Sequence, residues 1–156
     1  MPQKLKLAVT ILAALIAAYL LYYAVRNFYL SDEDRVANRI GQAISAAMNN
    51  DTKGVVSVIA PEFISEDGLN KGDFQMFIFA QFRAYSGIKI QTLEQKIELD
   101  KKNGTALVAY KGRLTATENG SKQTMGDTLS FKLHFKKYDD GGWLINKMEE
   151  VKEVKK

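Results

Sequence analysis

The sequence predicts an α+β protein: an N-terminal transmembrane helix followed by a cone-shaped domain of about three helices packed on a curved antiparallel sheet of about four strands. Three observations predict it. Residues 7–25, LAVTILAALIAAYLLYYAV, form an apolar run without a charge. Between Asp32 and Tyr85 the apolar residues recur at helical spacing. From Ile88 onward they recur at every second residue.

The apolar run has 19 residues, enough for a helix to cross a hydrocarbon core of roughly 30 Å. A cleaved signal peptide has a shorter apolar region, about 7–15 residues, and a small-x-small cleavage site. Here Ile16 stands two places before Ala18, and Tyr22 two places before Ala24. The run therefore reads as a retained anchor. Tyr22, Tyr23, Phe28 and Tyr29 suit the interfacial belt of a spanning helix. Ala13 with Ala17, and Ala14 with Ala18, give the small-xxx-small spacing that lets helices approach.

Lys4, Lys6 and the terminal amine precede the run, whereas Arg26 is soon followed by Asp32, Glu33 and Asp34. The positive-inside rule keeps the N-terminus in the cytoplasm. The expected location is the inner (cytoplasmic) membrane, single-pass, with the C-terminal domain periplasmic or extracellular. The expected organisation is a cytoplasmic stub, transmembrane helix and short stalk over 1–30, a folded domain over 31–150 and a charged tail over 151–156.

The chain has 22 Lys and Arg against 18 Asp and Glu. Lys4, Lys6 and Arg26 precede residue 31, leaving 19 against 18 for the outer part. That balance gives no argument for nucleic acid, whose binders concentrate charge on one surface. The absence of cysteine excludes a disulfide scaffold, a thiolate metal site and a lipid-modified cysteine.

Ser31-Asp-Glu-Asp34 is a helix start, with a capping hydroxyl and acids at the positive end of the helix dipole. Val36, Ile40, Ile44, Ala47 and Met48 share one face. Asn49-Asn50-Asp51 stops this helix and starts a short one over Lys53–Ile59, which Pro61 ends. Phe63 reads as a loop residue turned into the core. Asn70 caps a third helix whose stripe is Phe74, Phe77, Ile78, Phe82 and Tyr85, closed by Ser86-Gly87.

The strands follow. Ile88 and Ile90 alternate with Lys89 and Gln91, then the phase slips near Thr92-Leu93, the sequence mark of a β-bulge. After it Leu93, Ile97 and Leu99 share a parity. Turns at 100–104, 119–120 and 139–142 separate a strand with Ala106, Val108, Tyr110 and Leu114 inward, a strand with Leu129, Phe131, Leu133 and Phe135 inward, and a last strand beginning Trp143-Leu-Ile145.

This order of elements resembles the nuclear-transport-factor-2-like superfamily, the cystatin-like cone fold. The resemblance covers about Asp32 to Glu150. It rests on the element order, the VIAPEF turn at 58–63, the strand bulge and the closing DDGGWLI at 139–145. It implies isomerases, dehydratases, binding modules or membrane-anchored subunits of envelope machines. Its enzymes resemble one another in placing an Asp base, or an Asp/His/Tyr set, inside the cone. The inward parity here offers Tyr110 but no Asp or His.

Tyr85, Tyr110, Phe131, Phe135 and Trp143 are the expected wall of any ligand pocket. His134, the one histidine, shares the outward parity of Lys132 and Lys136 and cannot serve as a base inside the cone. No catalytic residue, metal site or cofactor is expected: the chain has no metal-ligand spacing, nucleophile triad or glycine-rich phosphate loop. Leu107, Ala109, Lys111, Arg113, Lys132, His134 and Lys136 form the expected contact face, with Leu144 and Met148 beside them.

The leading expectation is a membrane-tethered, non-enzymatic scaffold or subunit of a cell-envelope assembly, partnered by other envelope proteins or a second copy. Its layout is similar to the bitopic subunits of type IV secretion machines, with a shorter cytoplasmic arm. The alternatives are a pocket for a lipid or small apolar ligand, and an isomerase- or dehydratase-like enzyme.

Overall fold

The structure, a computed structural model, describes residues 3–152; the end of the charged tail, 153–156, lies outside the described residues, as do the side chains of Leu5, Asn27, Phe28 and Tyr29. Two of the expected interfacial aromatics, Phe28 and Tyr29, are among these. The chain divides into two compact units, the first ending at Ser31 and the second beginning at Asp32.

The first unit is one helix, α1 (Gln3–Tyr29). Its segment Lys6–Arg26 is long and apolar enough to cross a membrane, with mean hydropathy 2.2 and none of it buried against the protein.

The second unit is α+β. It runs α2 (Asp32–Met48), α3 (Thr52–Val56), β1 (Ile59–Ser65), α4 (Lys71–Ala84), β2 (Tyr85–Asp100), β3 (Thr105–Glu118), β4 (Thr124–Lys137) and β5 (Trp143–Glu150). The sheet order is β1-β5-β4-β3-β2. The pairings β2–β3, β3–β4 and β4–β5 are antiparallel between hairpin neighbours, and β1 joins β5 in parallel.

Helix α2 opens on three acids, which suit its dipole. Its face Val36 and Ile40 is buried, with Ala43, Ile44 and Ala47 packed beside them. Met48, expected on that face, is 41% exposed at the helix end. Asn50 takes a left-handed φ of 53°, and Asp51 then caps α3 by accepting from Gly54 N at 3.0 Å. Gly54 permits this turn: a Cβ there would lie 2.7 Å from that of Ala46.

Three sequence expectations change here. The short helix ends at Val56, and of the VIAPEF segment the residues from Ile59 onward lie in a strand, β1, rather than in a helix-ending turn. Pro61 lacks an N–H, but β1 is the edge of the sheet, where the missing donor is tolerated. Its pairing with β5 is irregular between Ile59 and Ile64, around Pro61. Phe63 is fully buried in this strand, its ring 5.1 Å from that of Phe74. The sheet therefore has five strands, not four.

Asn70 and Asp73 form a reciprocal capping box at the start of α4. Phe74, Ile78 and Phe82 turn toward the core. Phe77 does not. It lies about 100° round the helix from Ile78 and is 49% exposed, beside Met76 at 73% and Phe79 at 54%.

The bulge expected near Thr92-Leu93 is present: the β2–β3 register shifts between Thr92 and Glu94. Leu93 is the extra residue and is exposed rather than sharing the inward parity of Ile97 and Leu99. The β2–β3 register also shifts between Ser86 and Lys89, and a further bulge lies in β5, where His134 pairs with Lys147 but Phe135 pairs with Ile145. Asn146 is the inserted residue. It reverses the parity beyond it, so Met148 pairs with Leu133 and packs on the core instead of the outer face.

Candidate functional site

The sheet has one face toward the helices and one away from them, and candidate residues lie on both. Inward, β3 presents Ala106, Val108 and Tyr110; β4 presents Phe131, Leu133 and Phe135; β5 presents Trp143 and Ile145. Phe135 and Trp143 are fully buried. Tyr110 pairs across the ladder with Phe131, and its hydroxyl shares a hydrogen bond with Thr92 Oγ1 at 3.1 Å. Gly112 leaves room for that ring: a Cβ there would stand 2.9 Å from Tyr110 Cε1. Tyr85 stands apart from the other four. It begins β2 and pairs with Glu118, at the opposite end of β3 from Ala106.

The outward face is a ladder of cross-strand rows. Asp100, Thr105, Lys136 and Leu144 form one. Glu98, Leu107, His134 and Lys147 form the next, then Lys96, Ala109, Lys132 and Glu149. Lys111 and Arg113 continue the face along β3, opposite Ser130 and Thr128. The seven expected contact-face residues thus lie on one surface of two adjacent strands.

An open depression of about 470 Å³ sits on this surface, lined by Glu98, Leu107, His134, Asn146 and Lys147 among others. Glu149 borders it. Its carboxylate accepts from His134 Nε2 at 2.9 Å and from Lys147 Nζ at 3.1 Å. The His134 bond, then the Lys147 bond, hold the Glu149 carboxyl below its ordinary value. Asn146 Oδ1 is buried there without a hydrogen-bond partner. His134 is therefore tied into a carboxylate pair at the surface, on the far side of the sheet from Tyr110.

Sequence reasoning missed Lys147 and Glu149, because the β5 bulge alone brings them to this face; Asn146 already shares the outward parity of Leu144 and was passed over. It also left Glu98 and Asp100 as generic polar positions; their placement followed from the Thr92 slip, since every second residue after it faces outward. Among the described residues, no group of three or more His, Cys, Asp or Glu side chains is placed to hold a metal ion.

Sequence comparison yields little and structural comparison much. No protein-family model matches the chain, and no curated protein matches it. Solved structures do. An NTF2-like superfamily protein from Salmonella enterica aligns at TM-score 0.66 and 16% identity, over 77% of this chain and 89% of that one. A protein assigned as a scytalone dehydratase from Novosphingobium aromaticivorans aligns at TM-score 0.70 and 8% identity, over 79% and 85%. A protein assigned as a calcium/calmodulin-dependent protein kinase II association domain from Xanthomonas campestris aligns at TM-score 0.64 and 16% identity, over 80% and 91%. At these identities the likeness is one of fold. The second unit has the nuclear-transport-factor-2-like, cystatin-like fold.

Proposed function

We propose that this chain is a single-pass membrane protein whose NTF2-like domain acts as a scaffold or subunit of a cell-envelope assembly. In this reading α1 spans the inner membrane with its N-terminus in the cytoplasm. The domain outside it works through contacts with other envelope proteins, a second copy of itself among them.

One observation carries the reading: charge divides across the outward face about an apolar centre. Glu98 and Asp100 stand on β2, Lys132 and Lys136 on β4, and Leu107 and Ala109 between them on β3. A two-fold axis running along β3 would lay β2 of one copy over β4 of the other. Asp100 would then meet Lys136, and Glu98 would meet His134. An isologous interface needs this kind of self-complementarity. Lys96 would meet Lys132, which keeps such a dimer weak; Lys96 already pairs with Glu98 at 3.3 Å. A fold neighbour carries the name of an association domain, which agrees with assembly.

The inward face supports the same reading. An isomerase or dehydratase needs an Asp, Glu or His with a tuned pKa where substrate binds. The core residues facing inward from β3, β4 and β5 are aliphatic or aromatic, with no Asp, Glu or His among them.

The test is cross-linking in intact cells, extraction of the full chain in mild detergent, and light scattering with identification of bound proteins. A homo-oligomer or defined envelope partners are expected. A strictly monomeric, partner-free chain overturns the reading.

A further inference from the structure

We propose that self-association through the outward face is proton-linked: a charged His134 draws in Glu98 of a second copy, so the contact tightens as pH falls. This deepens, and rests on, the reading of that face as a contact between copies.

Glu98 and His134 stand in one cross-strand row, on either side of Leu107. Each is one strand away from β3. A two-fold axis along β3 therefore exchanges their places, and one dimer holds the pair twice. Both residues line the same open depression. Their side chains are accessible, His134 by 36% and Glu98 by 62%, so a second copy can reach both.

The groups around His134 decide the sign. Along β4, Lys132 and Lys136 stand two residues to either side, on the same face. β3 contributes the uncharged Leu107, and β5 contributes Lys147 and Glu149. Within one copy a charged imidazole thus stands among three lysines and one carboxylate, and Lys147 Nζ already shares that carboxylate. Its own Glu98 lies two strands away, beyond Leu107. A second copy would bring the partner's Glu98 to His134, with the partner's Asp100 over Lys136 and the partner's Lys96 over Lys132. The carboxylate missing from the surroundings of His134 is what the partner supplies.

The ring chemistry makes this contact conditional. Nε2 is the nitrogen bonded to Glu149, at 2.9 Å. A neutral ring donating there keeps a lone pair on Nδ1, which repels a carboxylate. Protonation places a hydrogen on Nδ1 and adds a donor and a charge together. The partner's Glu98 can then accept a charge-assisted bond. Association takes up protons, and linkage makes it tighter at lower pH. Histidine is the side chain that ordinarily changes charge between about pH 5 and 8. The chain has one histidine and no cysteine, so a response in that window belongs to His134 or to the N-terminal amine, which substitution separates.

Sedimentation equilibrium of the full chain in detergent, at about pH 5.5 and about pH 8, spans that window. Wild type is expected to associate at least about threefold more tightly at the lower pH, as two exposed ion pairs would provide. His134→Gln and Glu98→Gln should each abolish the difference, and Leu107→Asp should weaken association at both pH values. Glu98 lies exposed on the edge strand and serves as the test should His134→Gln fail to fold. Equal association at the two pH values, or a difference that persists in either Gln variant, overturns the proposal; the contact face still stands if Leu107→Asp weakens that association. Association that is absent at both pH values, or indifferent to Leu107→Asp, shows that the contact-face reading has failed, and the proton linkage with it.

Discussion

Trp143 Nε1 donates a hydrogen bond to Asp32 Oδ1 at 3.2 Å, joining the first residue of β5 to the first residue of α2 across 111 positions. Lys137 Nζ reaches the same oxygen at 3.1 Å. The residue where the chain enters the domain is thereby fastened to the β4–β5 hairpin.

Burial alone would raise the Asp32 carboxyl, but the bonds from Trp143 and Lys137, and the charges of Lys137 and Arg35, outweigh it and hold it below its ordinary 3.8. A depressed folded-state value stabilises the fold above the unfolded value. That contribution is complete above about pH 4–5 and is lost as pH falls through the folded-state value. Asp32→Asn is expected to cost about 1 kcal/mol at neutral pH. Thermal melts of variant and wild type in detergent should converge in acid.

Tyr138 gives the opposite sign. Burial, then its hydrogen bond to Glu62, push its phenol up to about 12. A raised folded-state value stabilises below the unfolded value near 10 and is lost as pH rises toward 12. The ultraviolet difference between wild type and Tyr138→Phe should show this phenol ionising near pH 12, and Glu62→Gln should move it down.

Gly112→Ala should displace Tyr110, because the added methyl meets the ring at 2.9 Å and the hydroxyl oxygen at 2.8 Å. The bond to Thr92 is then broken. A loss of about 1–3 kcal/mol is expected for overpacking of this kind, read from denaturant unfolding with near-ultraviolet dichroism following the tyrosine.

Leu107→Asp should leave the fold within about 0.5 kcal/mol of wild type, as outward substitutions do, yet weaken self-association at least about tenfold. If it unfolds the domain, Leu107 is a core residue and the contact face is misassigned. Asp100→Lys and Lys136→Asp should each weaken association, and the double exchange should restore it. Sedimentation of the full chain in detergent measures both.

A reporter active only outside the cytoplasm should work when fused after Lys156 and fail when fused before Leu5. The reverse result overturns the orientation.

The α+β order and the faces of β3 and β4 are legible in the sequence because charged and apolar residues alternate there without interruption. β1 is not. Pro61 reads as a helix stop, and IAPEFIS has no period because the strand is a short edge. Phe77 misleads because α4 has no polar side to tell inside from outside. Met148 misleads because the Asn146 bulge carries neither Gly nor Pro to mark it. Part of the depression on the outward face is hidden for the same reason: Lys147 reaches its lining only because of that one inserted residue.

The sheet order β1-β5-β4-β3-β2 also dictates a sequence of events during synthesis. β5 is translated after the other described elements, yet it stands between β1 and β4 and, among the described strands, is the one beside β1. Helix α1 is therefore complete while Phe63 and its strand still lack a place in the sheet. Closure waits for residues 143–150 to leave the ribosome, and it then joins the two ends of the domain in one step. Contacts of such wide separation form slowly. In that interval the partly built domain exposes apolar surface and an unpaired strand, the features that make a nascent chain prone to aggregate.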